Sequence, residues 1–231
     1  MNIAIILSGG TGTRMKLSMP KQYVEVGGKP IIGYCLDTFQ NAESVDKIVI
    51  VCHSDYRVYI EEYVVANGIS KVCAYAESGA SRQGSILSGL LACESFAAAE
   101  DVVILHDAAR PRVKEAMIDE LTHLDGFDGM MPVLPVKDTV YYTDDGKTIG
   151  KLLNRDKIFA GQAPESFVFG KYVAINKAVS TEEINATRGS SEIAFKHGLS
   201  VKLVEGDEDN YKITTIADLE KFEDYIAEKN R

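Results

Sequence analysis

The stretch MNIAIILSGG occupies residues 1–10, and in it a continuous apolar run, Met1–Leu7, leads directly into Ser8-Gly9-Gly10. A short, nearly unbroken apolar run predicts a strand that is buried on both faces, and the glycines predict a turn at its carboxyl end. Two further runs have the same character, KIVIVC at Lys47–Cys52 and DVVIL at Asp101–Leu105. Strands of this kind are typical of a mainly parallel sheet in an α/β protein.

The segments between these strands show the apolar spacing of helices. We predict helices at Ile31–Phe39, Tyr56–Ala66, Ser81–Ala99 and Asp218–Glu228, and further strands at Lys71–Tyr75 and Val201–Val204. This alternation predicts a Rossmann-like, mainly parallel sheet with helices on both faces. Ligands of such sheets bind beyond the carboxyl ends of the strands. The polar stretches Ser8–Arg14 and His106–Arg110 both lie at such ends.

A second kind of pattern follows in the middle of the chain. Met130–Val136 carries two prolines, so we predict an edge strand or an irregular strand there. Two β-like runs, Thr139–Tyr142 and Thr148–Leu153, then flank the turn Asp144-Asp145-Gly146. This pattern predicts a β-hairpin, which we expect to protrude as an arm over about residues 136–157.

The composition is that of an ordinary globular protein, with 45% hydrophobic and 26% charged residues among 231. We find no repeat and no clear linker, so one domain over residues 1–231 is predicted. The formal net charge of −9 disfavours nucleic-acid binding. The four cysteines lack metal-site spacing, and no apolar run is long enough for a signal peptide or a membrane span. We therefore expect a cytoplasmic protein with no membrane partner.

An acidic protein that handles phosphates must gather positive charge locally, and the first glycine turn does so. Arg14 closes this turn and Lys21 follows it. Glycines let backbone N–H groups approach a phosphate, and the two cations can neutralise it. The glycines alone fit an ordinary tight turn equally well, but the added cations favour phosphate binding. The predicted nucleotide-binding residues of the turn are Gly9, Gly10, Thr11 and Gly12.

Two further polar stretches lie at predicted strand ends. In ESGASRQGS, backbone groups of Gly79 and Ala80 with the Ser85 hydroxyl could read a pyrimidine edge, although a simple helix N-cap at Ser81 is favoured when the stretch is taken alone. In HDAARP, Asp107 is a natural Mg²⁺ ligand beside a polyphosphate, and a structural Asp–Arg pair is the alternative.

Four other residues, three charged and one polar, allow a functional and a structural interpretation each. Arg110 of the same motif could bind a second phosphate. Thr139 and Arg155 lie on either side of the predicted hairpin, where exposed polar groups are usually just solvated. Lys212, inside NYKITT, could face a nucleotide or the surface.

Together these stretches resemble one family, the cytidylyltransferases that act on 2-C-methyl-D-erythritol 4-phosphate and their relatives that act on ribitol 5-phosphate. The likeness spans nearly the whole chain, and its motifs are GGTGTRM…PKQ, GASRQGS, HDAARP, PVKDT, NR before GQAP, and NYKITT before ADL. The resemblance implies a nucleotide-diphospho-sugar transferase fold, a Mg²⁺ cofactor, CTP and a small phosphorylated polyol as substrates, and a homodimer.

The resemblance also implies roles for single residues. Arg14 and Lys21 would hold the triphosphate and stabilise the charge at its α-phosphate, with Lys212 as a third catalytic cation. The remaining implied roles are cytosine contacts by Gly79, Ala80 and Ser85, the metal at Asp107, and acceptor binding by Asp107, Arg110, Thr139 and Arg155, the last two supplied by a partner's arm.

Two segments depart from the family pattern. Gln162-Ala163-Pro164-Glu165 replaces the usual QTPQ, and Thr187–Glu192 replaces a segment with a Thr-Asp pair. Both resemble acceptor-side elements, so an acceptor of the ribitol 5-phosphate kind is favoured slightly over methylerythritol phosphate. Two other hypotheses are an enzyme for another nucleotide or a hexose 1-phosphate, against which GASRQGS argues, and a catalytically silent paralogue, against which the retained cations argue.

Overall fold

The computed structural model describes residues 1–10, 15 and 19–231. The predicted site residues Thr11, Gly12 and Arg14 lie outside this range. Along the described residues the strands are β1 (Asn2–Leu7), β2 (Glu25–Val26), β3 (Lys29–Pro30), β4 (Lys47–Cys52), β5 (Val72–Glu77), β6 (Val102–Asp107), β7 (Gly129–Pro135), β8 (Tyr141–Tyr142), β9 (Lys151–Leu152), β10 (Phe159–Gly161), β11 (Glu165–Val168) and β12 (Val201–Glu205). The helices are α1 (Ile31–Asn41), α2 (Arg57–Ala66), α3 (Arg82–Cys93), α4 (Glu115–Glu120), α5 (Phe169–Ala178), α6 (Thr181–Ala186), α7 (Ser190–Lys196) and α8 (Ile216–Lys229).

The central sheet has the order β10-β7-β11-β6-β1-β4-β5, and β12 also pairs with β7. β1 pairs in parallel with β4 and β6, β4 with β5, and β7 with β12, whereas β10 and β11 run antiparallel to their neighbours. The predicted mainly parallel α/β fold is therefore confirmed. In the described part of the chain, no helix is both long and apolar enough to cross a membrane.

The apolar run at β1 is continuous because both faces of the strand are buried. Ile3 and Ile5 pack into one core with α3, α5, α6 and α7, and Ala4 and Ile6 pack into the other with α1, α2 and α4. Full burial of one such Ile side chain contributes roughly 1.5–3 kcal/mol. The two cores fix the sheet, and the sheet in turn fixes the polar residues that follow its strands.

Of the two alternatives predicted for Met130–Val136, the edge strand is wrong, because β7 pairs with β12 and with β10 and β11. The strand is irregular in its pairing, which passes from β11 to β10 within its length. Its two prolines fit this interior position for local reasons. Pro135 is the last residue of the strand, and Pro132 lies between the residues paired with β11 and those paired with β10. Neither position needs a regular ladder bond from the missing N–H.

The helix predicted over Ser81–Ala99 ends earlier, at Cys93. The chain must turn here to enter β6, and the turn uses the backbone groups that a longer helix would need. The Asp101 carboxylate accepts a hydrogen bond from Ala98 N at 2.8 Å, and Ala99 O accepts one from Gly170 N at 2.9 Å.

The predicted hairpin is present, although its paired strands β8 and β9 are only two residues each. Its turn is closed by the Asp145 carboxylate, which accepts hydrogen bonds from Lys147 N at 2.8 Å and Thr148 N at 2.9 Å, and Gly146 has a positive φ of 68°. Apolar side chains on the hairpin are exposed, with Ile149 at 70%. The arm thus presents apolar surface away from the sheet.

Candidate active site

A cleft of about 400 Å³ lies beyond the carboxyl ends of β1, β5 and β6. It brings together eight of the predicted site residues, namely Gly9, Gly10, Lys21, Gly79, Ala80, Ser85, Asp107 and Lys212. Residues from opposite ends of the chain therefore line one cavity, as the strand-end argument predicts.

Gln22 holds the described start of the glycine turn after β1, Ser8 to Gly10. Its buried amide Nε2 donates hydrogen bonds to Ser8 O at 2.5 Å and to Gly10 O at 2.8 Å. Gly9 packs directly on Ser78, because a Cβ at residue 9 would lie 2.2 Å from Ser78 Cβ. A side chain larger than hydrogen cannot fit there, so the close approach of the two loops requires glycine.

The loop before α3 is closed by two serines. Ser81 caps the helix by accepting a hydrogen bond from Gly84 N at 3.0 Å, which confirms the simple N-cap. The Ser85 hydroxyl donates to Ser81 O and accepts from Gly79 N, both at 3.0 Å. Because its only hydrogen is already used, the Ser85 hydroxyl can accept a hydrogen bond from a ligand but cannot donate one.

Asp107 is the carboxylate in the cleft around which several cations gather. The residue is 7% exposed. It accepts a hydrogen bond from Arg82 Nε at 2.9 Å on Oδ1 and one from Lys212 Nζ at 2.8 Å on Oδ2. Burial by itself raises the pKa of the Asp107 carboxyl, but Arg82 and Lys212 outweigh it and hold the pKa well below its usual range. Asp107 is therefore ionised at neutral pH.

Arg110 supports this cluster from behind the cleft. Its Nε lies 3.9 Å from Asp107 Oδ2, and its Nη1 donates to Asn210 O at 2.6 Å. The neighbouring His106 is buried, and its Nε2 lies 3.1 Å from Arg110 O. The structure thus places Arg110 beside Asp107 but not on the cleft wall.

The residues predicted on the arm do not enter this cleft. Thr139 is exposed, and Arg155 Nη1 donates to Lys137 O at 2.7 Å at the base of the arm. Neither residue lines the cleft.

Lys212 enters the cleft on a strap, residues 207–214, that crosses from β12 to α8. Gln162 holds the start of the strap through two hydrogen bonds, from its Nε2 to Asp207 O at 2.9 Å and from Asp207 N to its Oε1 at 3.0 Å. Asn210 Nδ2 donates to Ala163 O at 2.7 Å, and Lys21 Nζ donates to Ile213 O. The segment before β11 therefore positions Lys212.

The family model for 2-C-methyl-D-erythritol 4-phosphate cytidylyltransferase (IspD) matches residues 2–228 of the chain. The chain belongs to this cytidylyltransferase family. It is accordingly a nucleotidyltransferase. Residues of the glycine turn, the GASRQGS loop and the HDAARP motif line one cleft, and this arrangement agrees with that activity.

Relatives within the family carry two different names. A ribitol-5-phosphate cytidylyltransferase of Streptococcus agalactiae serotype Ia is 34% identical over 233 residues, covering 100% of this chain and 98% of the relative. A 2-C-methyl-D-erythritol 4-phosphate cytidylyltransferase of Geobacter metallireducens is 36% identical over 228 residues, covering 98% and 97%. The solved 4-diphosphocytidyl-2C-methyl-D-erythritol synthase of Anaerococcus prevotii has a TM-score of 0.80 at 26% identity, covering 98% and 96%.

Two charged residues of this cytidylyltransferase site were missed by sequence reasoning, Arg82 and Glu165. Arg82 lines the cleft and contacts Asp107. A signal for it existed, because an arginine in the first turn of α3 opposes the helix dipole and needs an anionic partner. Glu165, noted in the sequence only as part of a departure from the family pattern, is buried behind Arg82, and nothing in its local sequence predicts that contact.

The donor set of the cleft fits a Mg²⁺ ion that takes most of its ligands from a nucleotide. Among the described residues there is no group of three or more His, Cys, Asp and Glu side chains that could hold a metal alone. Asp107 supplies one ionised carboxylate inside the cleft. Mg²⁺ is usually bound by one or two carboxylates together with phosphate oxygens and water. Both Asp107 oxygens already accept a hydrogen bond, from Arg82 and from Lys212, so Asp107 fits a Mg²⁺ ion through the lone pairs that these two bonds leave.

Proposed function

We propose that this protein transfers CMP from CTP to a small phosphorylated polyol of the ribitol 5-phosphate kind and releases pyrophosphate. The observation that carries the proposal is the meeting of Lys21, Lys212 and Asp107 in one cleft, between a glycine turn and the GASRQGS loop. The 34% identity to a ribitol-5-phosphate cytidylyltransferase over the whole chain supports this acceptor class.

The Ser85 hydroxyl supports a preference for cytosine. Cytosine carries an amino group at C4 that donates hydrogen bonds, whereas uracil carries a carbonyl there that accepts them. The hydroxyl hydrogen of Ser85 is engaged with Ser81 O, so the group can accept from the amine but has nothing left to donate to a uracil carbonyl. Gly79 and Ala80 line the same part of the cleft.

The charges of the cleft support binding and activation of the triphosphate. The backbone of Gly9 and Gly10 offers a close approach to phosphate oxygens, and Lys21 lines the same cleft. Thr11, Gly12 and Arg14, outside the described residues, stay predicted parts of this phosphate site. We propose that Asp107 holds the Mg²⁺ ion, which would supply charge neutralisation at the phosphates.

The reaction needs no protein nucleophile. An oxygen of the acceptor phosphate attacks the α-phosphorus of CTP in line, the new phosphorus–oxygen bond forms, and the bond from the α-phosphorus to the bridging oxygen breaks. The electron pair leaves with pyrophosphate. Lys21 and Lys212 would orient the phosphates and stabilise the developing negative charge, the main source of rate in phosphoryl-type transfers.

The arm supports assembly as a homodimer. It carries apolar side chains that are exposed to solvent in the single chain, including Tyr141 at 52%. Thr139 and Arg155 lie outside their own cleft, so we propose that they bind the acceptor in the partner's site. A cytoplasmic location stays a prediction from the sequence.

Methylerythritol phosphate is the second candidate acceptor, favoured by the 36% identity to the Geobacter metallireducens enzyme. A pyrophosphate-release screen that combines four nucleoside triphosphates with ribitol 5-phosphate, methylerythritol phosphate, erythritol 4-phosphate and glycerol 3-phosphate tests both acceptors. Phosphorus NMR should show the diphosphate-linked CDP-alcohol as the product. Absence of pyrophosphate release from every pair would support a catalytically silent protein instead.

A further inference from the structure

Glu165 is a buried carboxylate directly behind the cleft, with 6% of the residue exposed. It begins β11, and its side chain reaches the first turn of α7. Oε1 accepts a hydrogen bond from Ser190 Oγ at 2.8 Å, and Oε2 accepts from Ser191 N at 3.0 Å and Ser191 Oγ at 2.6 Å. The carboxylate therefore has three hydrogen-bond donors on one side.

On its other side Glu165 faces Arg82. The guanidinium Nη2 lies 3.7 Å from Oε1, and Nη1 donates at 2.6 Å to the same Ser190 hydroxyl that donates to Glu165. The guanidinium Nε meanwhile donates to Asp107 at 2.9 Å. Arg82 is thus fixed at both ends between two buried carboxylates.

The order of charges from the back of the site into the cleft is Glu165, Arg82, Asp107 and Lys212, which alternate in sign. Arg110 adds a further cation beside Asp107. Three cations and two carboxylates leave one excess positive charge in this cluster. Removing the charge of Glu165 would leave two, because both carboxylates balance the same group of cations.

We infer that Glu165 is a positioning residue for the transfer reaction, which holds Arg82 against Asp107 and thereby fixes the orientation of the Asp107 carboxylate. This inference rests on the proposed function. An arginine side chain has many rotamers, so its orientation depends on partners at its far end. Without Glu165, Arg82 keeps its attraction to Asp107 but loses the anchor that sets its angle.

The neutral variant Glu165→Gln separates positioning from binding. The variant keeps the shape of the side chain and adds a positive excess to the cleft, which favours a polyanion. We therefore expect kcat to fall by about tenfold or more, because small misplacements of reacting groups cost that much. We expect KM and the calorimetric Kd for CTP to stay unchanged or to decrease. A purely structural role would weaken binding and turnover together.

The matched control is Ser191→Ala, which removes a hydrogen bond to the α7 side of Glu165 and leaves Arg82 and Ser190 in place. Ser191 does not line the cleft. We expect this variant to lower Tm and to reduce kcat by much less than Glu165→Gln does. If Glu165→Gln does not fold, Ser190→Ala can replace it, because this variant removes the hydroxyl that joins Arg82 to Glu165. We expect Ser190→Ala to lower kcat as well.

A readout without substrate keeps this inference separate from the proposed function. The Arg82 Nε–H group, bound to Asp107, should give a protected resonance in nitrogen-15 NMR of the full chain. We expect this resonance to broaden or disappear in Glu165→Gln and to persist in Ser191→Ala. A wild-type protein without transferase activity would overturn the proposed function only. An unchanged resonance in Glu165→Gln, or an equal loss of kcat in both variants, would overturn the positioning role.

Discussion

Lys212 Nζ lies 2.8 Å from Asp107 Oδ2, although 105 residues separate the two along the chain. Arg82 occupies the other carboxylate oxygen. This arrangement makes Asp107 both the electrostatic centre of the cleft and its one proposed metal ligand, so changes at Asp107 should affect stability and metal dependence together.

Asp107→Asn should lower the free energy of unfolding by about 3 kcal/mol, because breaking a buried ion pair leaves its partners without compensation. The Mg²⁺ concentration for half-maximal activity should also rise, since an amide is a poor ligand for a hard cation. Urea unfolding and a Mg²⁺ titration measure the two effects. Asp37→Asn, in a half-exposed pair with Lys29, is the control and should cost less than about 1 kcal/mol. An unchanged Mg²⁺ midpoint would exclude Asp107 as a ligand.

His106 should make the protein less stable as the pH falls. Burial lowers the pKa of His106 to about 3, whereas an unperturbed histidine titrates near about 6.5. Between these values the unfolded chain binds a proton at this position and the folded protein does not. Stability due to His106 is therefore present above about pH 6.5 and is lost toward acid, by about 1.4 kcal/mol per pH unit at most.

His106→Gln removes this titration. Urea unfolding between pH 7.5 and 4 should show a shallower decline for the variant than for the wild type, whatever the absolute difference at pH 7.5. Parallel curves for the two proteins would show that His106 takes up a proton as readily in the folded protein as in the unfolded chain, which contradicts the lowered pKa.

The arm prediction can be tested with two pairs of substitutions on its opposite faces. Tyr141 pairs with Leu152 across the hairpin, and Tyr142 pairs with Lys151. The first pair is apolar and exposed, so Tyr141→Glu with Leu152→Glu should yield monomers in sedimentation velocity because charges are costly in a buried interface. Tyr142→Glu with Lys151→Glu is the control on the other face. A dimer that survives the first double substitution would rule out this contact.

Much of the fold follows from the sequence because a parallel sheet buries both faces of its strands. The apolar runs at Met1–Leu7 and Lys47–Cys52 fit few structures other than buried parallel strands. The polar residues that follow such strands must then lie together at one edge of the sheet. The prediction of an edge strand at Met130–Val136 failed because it rested on the two prolines alone, without knowledge of the strands that pair with β7. Pro132 lies at a change between two pairing strands, a feature of topology that no local pattern contains.

The sequence predicted those site residues that come immediately after a strand in the chain. Glycine turns and cations after β1, β5 and β6 must lie near one another once the strand order is known. Arg82 and Glu165 depend on a contact between the start of α3 and the start of β11, which meet through α7. The two departures from the family pattern are likewise neighbours in space, because Glu165 binds Ser190 and Ser191.

Lys21→Ala should reduce kcat by about a hundredfold or more while the fold remains intact, because a preorganised charge at a developing oxyanion is worth about 3 kcal/mol. Lys21 lines the cleft and also contacts Ile213 O on the strap. Steady-state kinetics and circular dichroism check the two parts of this expectation. Lys29→Ala, which removes a surface cation paired with Asp37, is the control. A folded variant with near-normal turnover would remove Lys21 from the reaction.

The most direct test of the proposed reaction is kcat/KM for each nucleotide with each acceptor in the screen. We expect CTP to exceed ATP, GTP and UTP by at least about tenfold, or about 1.4 kcal/mol of discrimination. We expect ribitol 5-phosphate, and not methylerythritol phosphate, to be the best acceptor. A tenfold lead for methylerythritol phosphate would contradict the acceptor and leave CTP use intact. A lead for UTP or ATP with any acceptor would contradict the account, including the role of Ser85 in reading cytosine.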